Sequence, residues 1–372
     1  MTIKRFFPGN NTSRGFYSLF ENIHCGYEFK FIIKGGPGTG KSSYINKITE
    51  ELKKLSSVEL LYCASDSTSL DGAAFPDLNT IIMDGTHPHV IDPQFPAAGE
   101  HIIDLARYLD ENKLLEKKDK IIKIHSQVRS HYQVAYSYFR QAKETLSRRL
   151  QLHDPHNNLD KLEELKSLFI EPVKQQADKS PILNVDKNKK QSSRSLFLRG
   201  YTPEGIISFA EDLIDSRTKL LLLETDIHTS DILLRSIKNY FLLSGQRLEY
   251  YLHPLSPDII EGIRFPQMNI IYLATENYPD VLEFKENIYY KASISPNSLG
   301  SSHSRFQTNE LKRTIKQEDK LINLGIQCLS EMKETRKFLE NYYSSAQDFN
   351  SVEKNRKSIA KKIKRLTGHD YY

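Results

Sequence analysis

The chain has 372 residues and a mass of 43.0 kDa, more than one ordinary core encloses, so about two domains are expected. Only 38% of its residues are hydrophobic and 27% are charged, which sends much of the chain to solvated surface as long polar helices. A net charge of +5 from 52 basic and 47 acidic residues is too mild to imply nucleic acid.

Residues 1–11 reach Pro-Gly-Asn-Asn without an apolar signal core, and the longest aliphatic run is Leu220-Leu221-Leu222-Leu223. Neither feature points to a membrane. Three scattered cysteines (Cys25, Cys63 and Cys328) form no CxxC pair and no zinc spacing, which predicts a reduced, cytoplasmic protein.

The first element with chemistry begins at Phe31-Ile32-Ile33, an apolar run that predicts a buried parallel strand. Gly35-Gly36-Pro37-Gly38-Thr39-Gly40-Lys41-Ser42-Ser43 follows, a complete phosphate-loop pattern, and the helical spacing of Tyr44, Ile45, Ile48 and Leu52 completes a strand–loop–helix unit. The residue types match the task. Glycines let backbone N–H groups converge on phosphate oxygens, and the helix start adds partial positive charge. Lys41 is expected to reach the β- and γ-phosphates of ATP, and Ser42 to ligand Mg2+.

Val58–Cys63 reads as the next strand, running into a polar loop with Asp66 and Asp71, either of which can orient a water or an acceptor hydroxyl; Asp66 is taken as the candidate. Residues 78–84 make an apolar strand ending in Asp84, the expected Walker-B carboxylate in the Mg2+ shell. His87 and His89 lie just beyond. One of them can meet the γ-phosphate region, although an ordinary rigid loop is the favoured reading of both.

From Ile121 to Leu150 apolar residues recur at intervals of three and four, which predicts a long helix with one apolar stripe; a second helix is expected from Leu159 to Phe169. Residues 172–194, with Pro172, Pro181 and a Lys-Asn-Lys-Lys-Gln-Ser-Ser stretch, are expected to be a linker. It separates a domain over 1–171 from another over 195–372.

That second domain is a repeat of the first. Thr12 to Leu19 matches Thr202 to Phe209, and Leu70 to Asn79 matches Ile260 to Asn269; Gly15 and Gly205, like Gly72 and Gly262, stand 190 positions apart. The repeat keeps the strand Leu220–Leu223 but follows it with Glu224-Thr225-Asp226, which has no glycine or lysine and repels phosphate. Ala274 stands where the first half has Asp84. A pseudo-nucleotidase domain is therefore expected. Leu243-Ser244-Gly245-Gln246-Arg247 imitates a transporter-ATPase signature but falls in the turn before a strand. A second arm runs from Ile315 to Ala346, and the basic segment Lys354 to Arg365 reads as the solvated face of a packed helix, with nucleic-acid contact as the lesser alternative.

The chain resembles an uncharacterised bacterial family of tandem P-loop ATPases. The resemblance rests on the Gly9 to Ser18 opening, the Lys34 to Ser43 loop, Ser65-Asp66 followed by Ser69 to Gly72, and Asp84-Gly85-Thr86 through Pro88 to Pro93. Members carry a second P-loop, and this chain departs from them there. The resemblance implies ATP binding. The expected fold is α/β, two tandem P-loop NTPase-like domains with mainly parallel sheets in three layers, each with a helical arm. The expected activity is ATP hydrolysis at one site built from Gly35 to Ser43, with Lys41, Asp84 and Asp66 catalytic and Ser42 and Asp84 on Mg2+. GTP is disfavoured by the lack of an Asn-Lys-x-Asp motif. The alternatives are a small-molecule or nucleotide kinase, in which Arg129, Arg140, Arg148 or Arg149 would form a lid, and a non-catalytic ATP-gated scaffold.

Overall fold

The computed structural model describes residues 3–152, 159–179, 193–244, 246–293 and 305–369. Its first half follows the apolar pattern closely: β1 (Ile3–Phe6), the hairpin β2 (Gly9–Thr12) and β3 (Gly15–Ser18), α1 (Phe20–His24), β4 (Phe29–Lys34), α2 (Lys41–Leu52), β5 (Val58–Cys63), β6 (Asp66–Phe75), β7 (Thr80–Asp84) and β8 (Glu100–Asp104). Then come α3 (Glu111–Leu115) and two arm helices, α4 (Lys118–Leu152) and α5 (Leu159–Lys179). The second half repeats the plan with β9 (Ser193–Leu196), β10 (Arg199–Thr202), β11 (Gly205–Ser208), β12 (Lys219–Glu224), α6 (Ile227–Leu243), β13 (Leu248–Leu252), β14 (Ile260–Phe265), β15 (Ile270–Ala274) and β16 (Ile288–Ser293). Its arm is α7 (Arg305–Ser345) and α8 (Phe349–Leu366).

Both halves build a six-stranded sheet with one strand order, β1-β5-β6-β7-β4-β8 in the first and β9-β13-β14-β15-β12-β16 in the second. The repeat read from spaced glycines is thus a repeat of topology. Each sheet is mixed rather than simply parallel: β6 and β14 run antiparallel to both neighbours. The segment expected as a polar loop around Asp71 is this inner strand. Alternation along β4 sorts its side chains, with Phe31 and Ile33 joining Tyr44, Ile45, Ile48 and Leu52 of α2, while Ile32 faces the core shared with the second half.

The halves meet through equivalent contacts exchanged in both directions, as about a local twofold axis. Phe7 N–H donates to the Phe197 carbonyl at 2.9 Å and Phe197 N–H donates back to Phe7 at 3.4 Å. Asn22 of the first half bonds Ser195 at 3.0 Å, and Asp212, 190 positions on, receives Arg5 at 2.6 Å. The Asn10 and Asn11 side chains of the opening motif reach the carbonyls of Arg199 and Tyr201 across this seam, so that motif holds the halves together.

The arms pair antiparallel: Arg148 lies 3.6 Å from Glu310 while His131 meets Thr335 at 3.3 Å. Gly325 sits where a Cβ would come within 2.4 Å of the Phe139 ring, so close helix approach explains this glycine inside a helix. The arms' last helices are exchanged. α5 places Phe169 against Tyr272 of the second sheet, and α8 places Val352, Ala360 and Ile363 in the core of the first.

The expected boundaries 1–171, 172–194 and 195–372 fall inside elements of the structure. Residues 172–179 continue α5 through Pro172, residues 193–194 open β9, and residues 180–192 lie outside the described residues. In space, each half is finished by the other's terminal helix. The basic face of α8 is also partly spent inside the protein: Arg356 binds Glu51 at 2.5 Å and Glu353 at 2.9 Å, and Lys362 meets His101 at 3.2 Å. No helix among the described residues is long and apolar enough to cross a membrane.

Candidate functional site

The glycine loop joins the end of β4 to the start of α2. Gly38 and Gly40 take φ of 74° and 89°, a left-handed conformation that glycine adopts without strain, and α2 then begins at Lys41. Thr39 closes the loop by donating to the Gly36 carbonyl at 2.8 Å. Lys41 Nζ donates to the carbonyls of Gly35 and Gly36 at 2.9 and 2.8 Å. Its other neighbour is Asp84 Oδ2 at 3.6 Å, because β7 lies parallel to β4 with Ile33 opposite Asp84. The expected juxtaposition of loop lysine and strand-end carboxylate is therefore present.

Asp84 Oδ1 accepts from Thr86 N–H at 2.9 Å and Thr86 Oγ1 at 2.5 Å. Lys34 Nζ pins the following loop through the carbonyls of Gly85 and Ile91 and the carboxylate of Asp92, at 2.9, 2.7 and 2.8 Å. The Asp84 to Pro93 motif thus acquires a mechanical reason. One lysine folds the loop back so that His89 is buried, with His89 N–H bonded to the Thr86 carbonyl at 2.9 Å.

A cavity of about 890 Å3 opens at this point, within the range of small-molecule sites. Gly35, Gly36, Pro37 and Lys41 line it on one side with Asp84, Thr86, His87 and His89; α4 and α7 close the other side with Arg129, Tyr132, Tyr136 and Arg336. Among the expected loop residues, Gly38, Thr39, Gly40, Ser42 and Ser43 do not line it. Gly38 packs under α7, where a Cβ would come within 2.3 Å of the Glu340 carbonyl. Ser43 is exposed on α2, and Ser42 Oγ accepts from Leu70 N–H at 3.0 Å.

Asp66 is not brought into this cavity. It is a strut between strand and arm, receiving Lys333 Nζ at 2.7 Å, Thr68 at 2.8 Å and Ser69 at 2.6 Å. Burial alone would raise its pKa, but these donors outweigh it and hold the carboxyl at about 2. Of the two aspartates in that segment it is Asp71 that lines the cavity, together with Asp84; Asp71 is buried on β6 beside β7, 3.4 Å from His89 Nε2, with its pKa raised chiefly by burial. Of the arginines expected as a lid, only Arg129 lines the cavity; Arg148 pairs with Glu310, and Arg149 with Glu276 at 3.0 Å.

Arg336 is a cavity-lining arginine that sequence spacing does not reveal. It stands 295 positions beyond Lys41, and only the antiparallel return of α7 brings it to the first half's loop. Its Nε forms an ion pair with Glu340 at 3.0 Å. Burial would lower its pKa, yet Tyr132, Cys63, Glu340 and Asp71 together raise it and keep the guanidinium charged.

The equivalent place in the second half is filled by the chain itself. β12 ends at Glu224 and α6 begins at Ile227, leaving no room for a glycine loop. Asp226 caps α6, accepting from His228 N–H at 2.9 Å and Thr229 N–H at 3.0 Å, so a built-in carboxylate occupies the helix start that a phosphate would use. Ala274 lies opposite Leu223, as Asp84 lies opposite Ile33. Arg149 and Glu318, both buried, enter from the arms and complete an ionic cluster with the more exposed Glu276.

Within that cluster burial pushes the Glu318 carboxyl up to about 7, against the pull of Arg149 and with added repulsion from Glu276 and Asp319. The folded chain keeps this proton at pH values where the unfolded chain has lost it, so the contribution is complete below about 4.5 and disappears as pH rises through about 7. Urea titrations are expected to show stability falling by about 2–3 kcal/mol between pH 5 and 8, and Glu318→Gln should flatten that slope. An unchanged slope in the variant would assign it elsewhere.

The residues at the first site suit Mg2+, which takes hard oxygen donors, few of them from protein. Asp84 Oδ2 is such a donor, 3.6 Å from Lys41 Nζ, and Ser42 follows Lys41 in the chain, its Oγ accepting from Leu70 N–H. Comparison of the chain with protein-family models, curated proteins and solved structures finds no match.

Proposed function

We propose that this chain binds ATP with Mg2+ at Gly35 to Ser43 and hydrolyses it, as a tandem P-loop ATPase whose second half holds no nucleotide. The observation that carries the reading is Lys41 Nζ, seated on the loop carbonyls 3.6 Å from Asp84 at the wall of a cavity of about 890 Å3. Backbone N–H groups of the loop and first turn of α2 bind phosphate oxygens, and the Lys41 ammonium transfers from carbonyls to the β- and γ-phosphates. Ser42 and Asp84 are the residues that would hold the metal, which would supply positive charge against the phosphates. Arg129 and Arg336 add positive charge where negative charge develops. Three free cysteines accord with a cytoplasmic protein.

Equilibrium dialysis with labelled ATP and Mg2+ is expected to find one nucleotide per chain. A stoichiometry of two would overturn the silent second half, and none would overturn the reading altogether. The two arginines on the cavity wall also favour a kinase reading, in which they grip an anionic acceptor. Phosphate release without added acceptor supports hydrolysis; ADP formation that requires an acceptor supports the kinase.

A further inference from the structure

Counting outward across the first sheet from the loop strand, the polar groups at its rim come in a fixed order. Lys41 follows β4, Asp84 ends β7, and Asp71 lies on β6, where its neighbour Gly72 pairs with Met83. His89 stands over Asp71. Its ring is 4.9 Å from Phe16 and 5.0 Å from Phe20, an aromatic clamp that leaves it 6% exposed. Nε2 lies 3.4 Å from Asp71 Oδ2. A proton on Nε2 is thereby favoured, which leaves a lone pair on Nδ1. Nδ1 is buried without a partner among the described residues, although the side chain lines the cavity. An unmet buried polar atom costs about 1–3 kcal/mol, which a guest that reached Nδ1 from the cavity would recover.

We propose that His89, oriented by Asp71, is the general base of the reaction; this rests on the ATP-hydrolysing reading above. A water in the cavity attacks the γ-phosphorus. As its oxygen–phosphorus bond forms, its proton passes to His89 Nδ1, and the bond from the γ-phosphorus to the bridging oxygen breaks with its electron pair going to ADP. Phosphate and an imidazolium facing the Asp71 carboxylate result, and the ring then gives its proton to solvent. Asp71 is a positioning residue. It fixes the tautomer and faces the positive ring, the role a buried carboxylate plays behind a histidine base.

The test compares wild-type chain with His89→Phe, which preserves stacking between Phe16 and Phe20, and with His89→Ala. ATP affinity by calorimetry, melting temperature and phosphate release are measured for each. His89→Phe is expected to fold and bind ATP as wild type does while losing hundredfold or more in turnover, the usual scale of a lost base. Added imidazole should restore part of the turnover of His89→Ala, which a merely structural histidine would not allow. Near-wild-type turnover in His89→Phe overturns the proposal and leaves the ATPase reading standing. Should His89→Phe fail to fold, His89→Ala decides alone: hundredfold loss with imidazole rescue upholds the base, and loss without rescue overturns it. A wild-type chain that binds ATP but releases no phosphate overturns the hydrolysis reading first.

Discussion

Replacing Lys41 by alanine is expected to weaken ATP binding, or turnover, by about 1.5–3 kcal/mol, tenfold to more than a hundredfold. The side chain has little structural work that would blur the result. α2 is anchored through Tyr44, Ile45, Ile48 and Leu52 in the core, not through Lys41, whose ammonium touches only the loop carbonyls and the neighbourhood of Asp84. The melting temperature should therefore change little while affinity falls. Lys41→Arg is not expected to rescue it. A planar guanidinium cannot replace a compact ammonium wedged between Gly35, Gly36 and Asp84. Calorimetry and phosphate-release assays on the purified chain give both numbers. Wild-type affinity and turnover in Lys41→Ala would remove the site assignment.

The parts of this protein that were legible in its sequence are those whose information is local. Gly35 to Ser42 carry their conformation and chemistry within one contiguous stretch. Asp84 ends an apolar run whose pairing with β4 is the ordinary outcome of a buried strand. The repeat was legible because Gly15, Gly205, Gly72 and Gly262 keep their spacing where side chains changed, and the structure gives both halves one strand order.

What was not legible is set by contacts between distant segments. The run Ser67-Thr68-Ser69 reads as a loop, but it belongs to β6, whose stretch from Gly72 to Ala74 pairs with β5 and β7 on either edge, and Asp71 is buried beside it. Asp66 and Asp71 are chemically alike in sequence. Only Lys333, arriving from the far arm, turns the first into a strut and leaves the second for the cavity. The repeated arms did hold a signal for Arg336: two long helices of similar length, packed antiparallel, return the end of the second to the start of the first.

The largest stability effect is expected at the seam between the halves, from Arg194→Ala. Arg194 opens the second sheet on β9 and crosses to Glu59 of the first with two bonds, at 2.7 and 2.5 Å, while also binding Glu249 at 2.6 Å. Glu249 is further held by Arg264 at 2.9 Å, and the side chains of Arg194, Glu59 and Glu249 are 8%, 10% and 3% exposed. Such a cluster adds little net stability over an apolar seam, because desolvating its charges offsets their attraction. Removing one member is a different matter. Arg264 can still answer Glu249, but Glu59 is left buried without the guanidinium that neutralised it, at a cost of about 3–5 kcal/mol. The loss should be smaller when Glu59→Gln is combined with Arg194→Met, since no orphaned charge then remains. Urea unfolding of the single and double variants measures the coupling. If Arg194→Ala costs less than about 1 kcal/mol, the ionic cluster does not join the halves, and the apolar seam around Phe7, Phe197 and Phe209 does so alone.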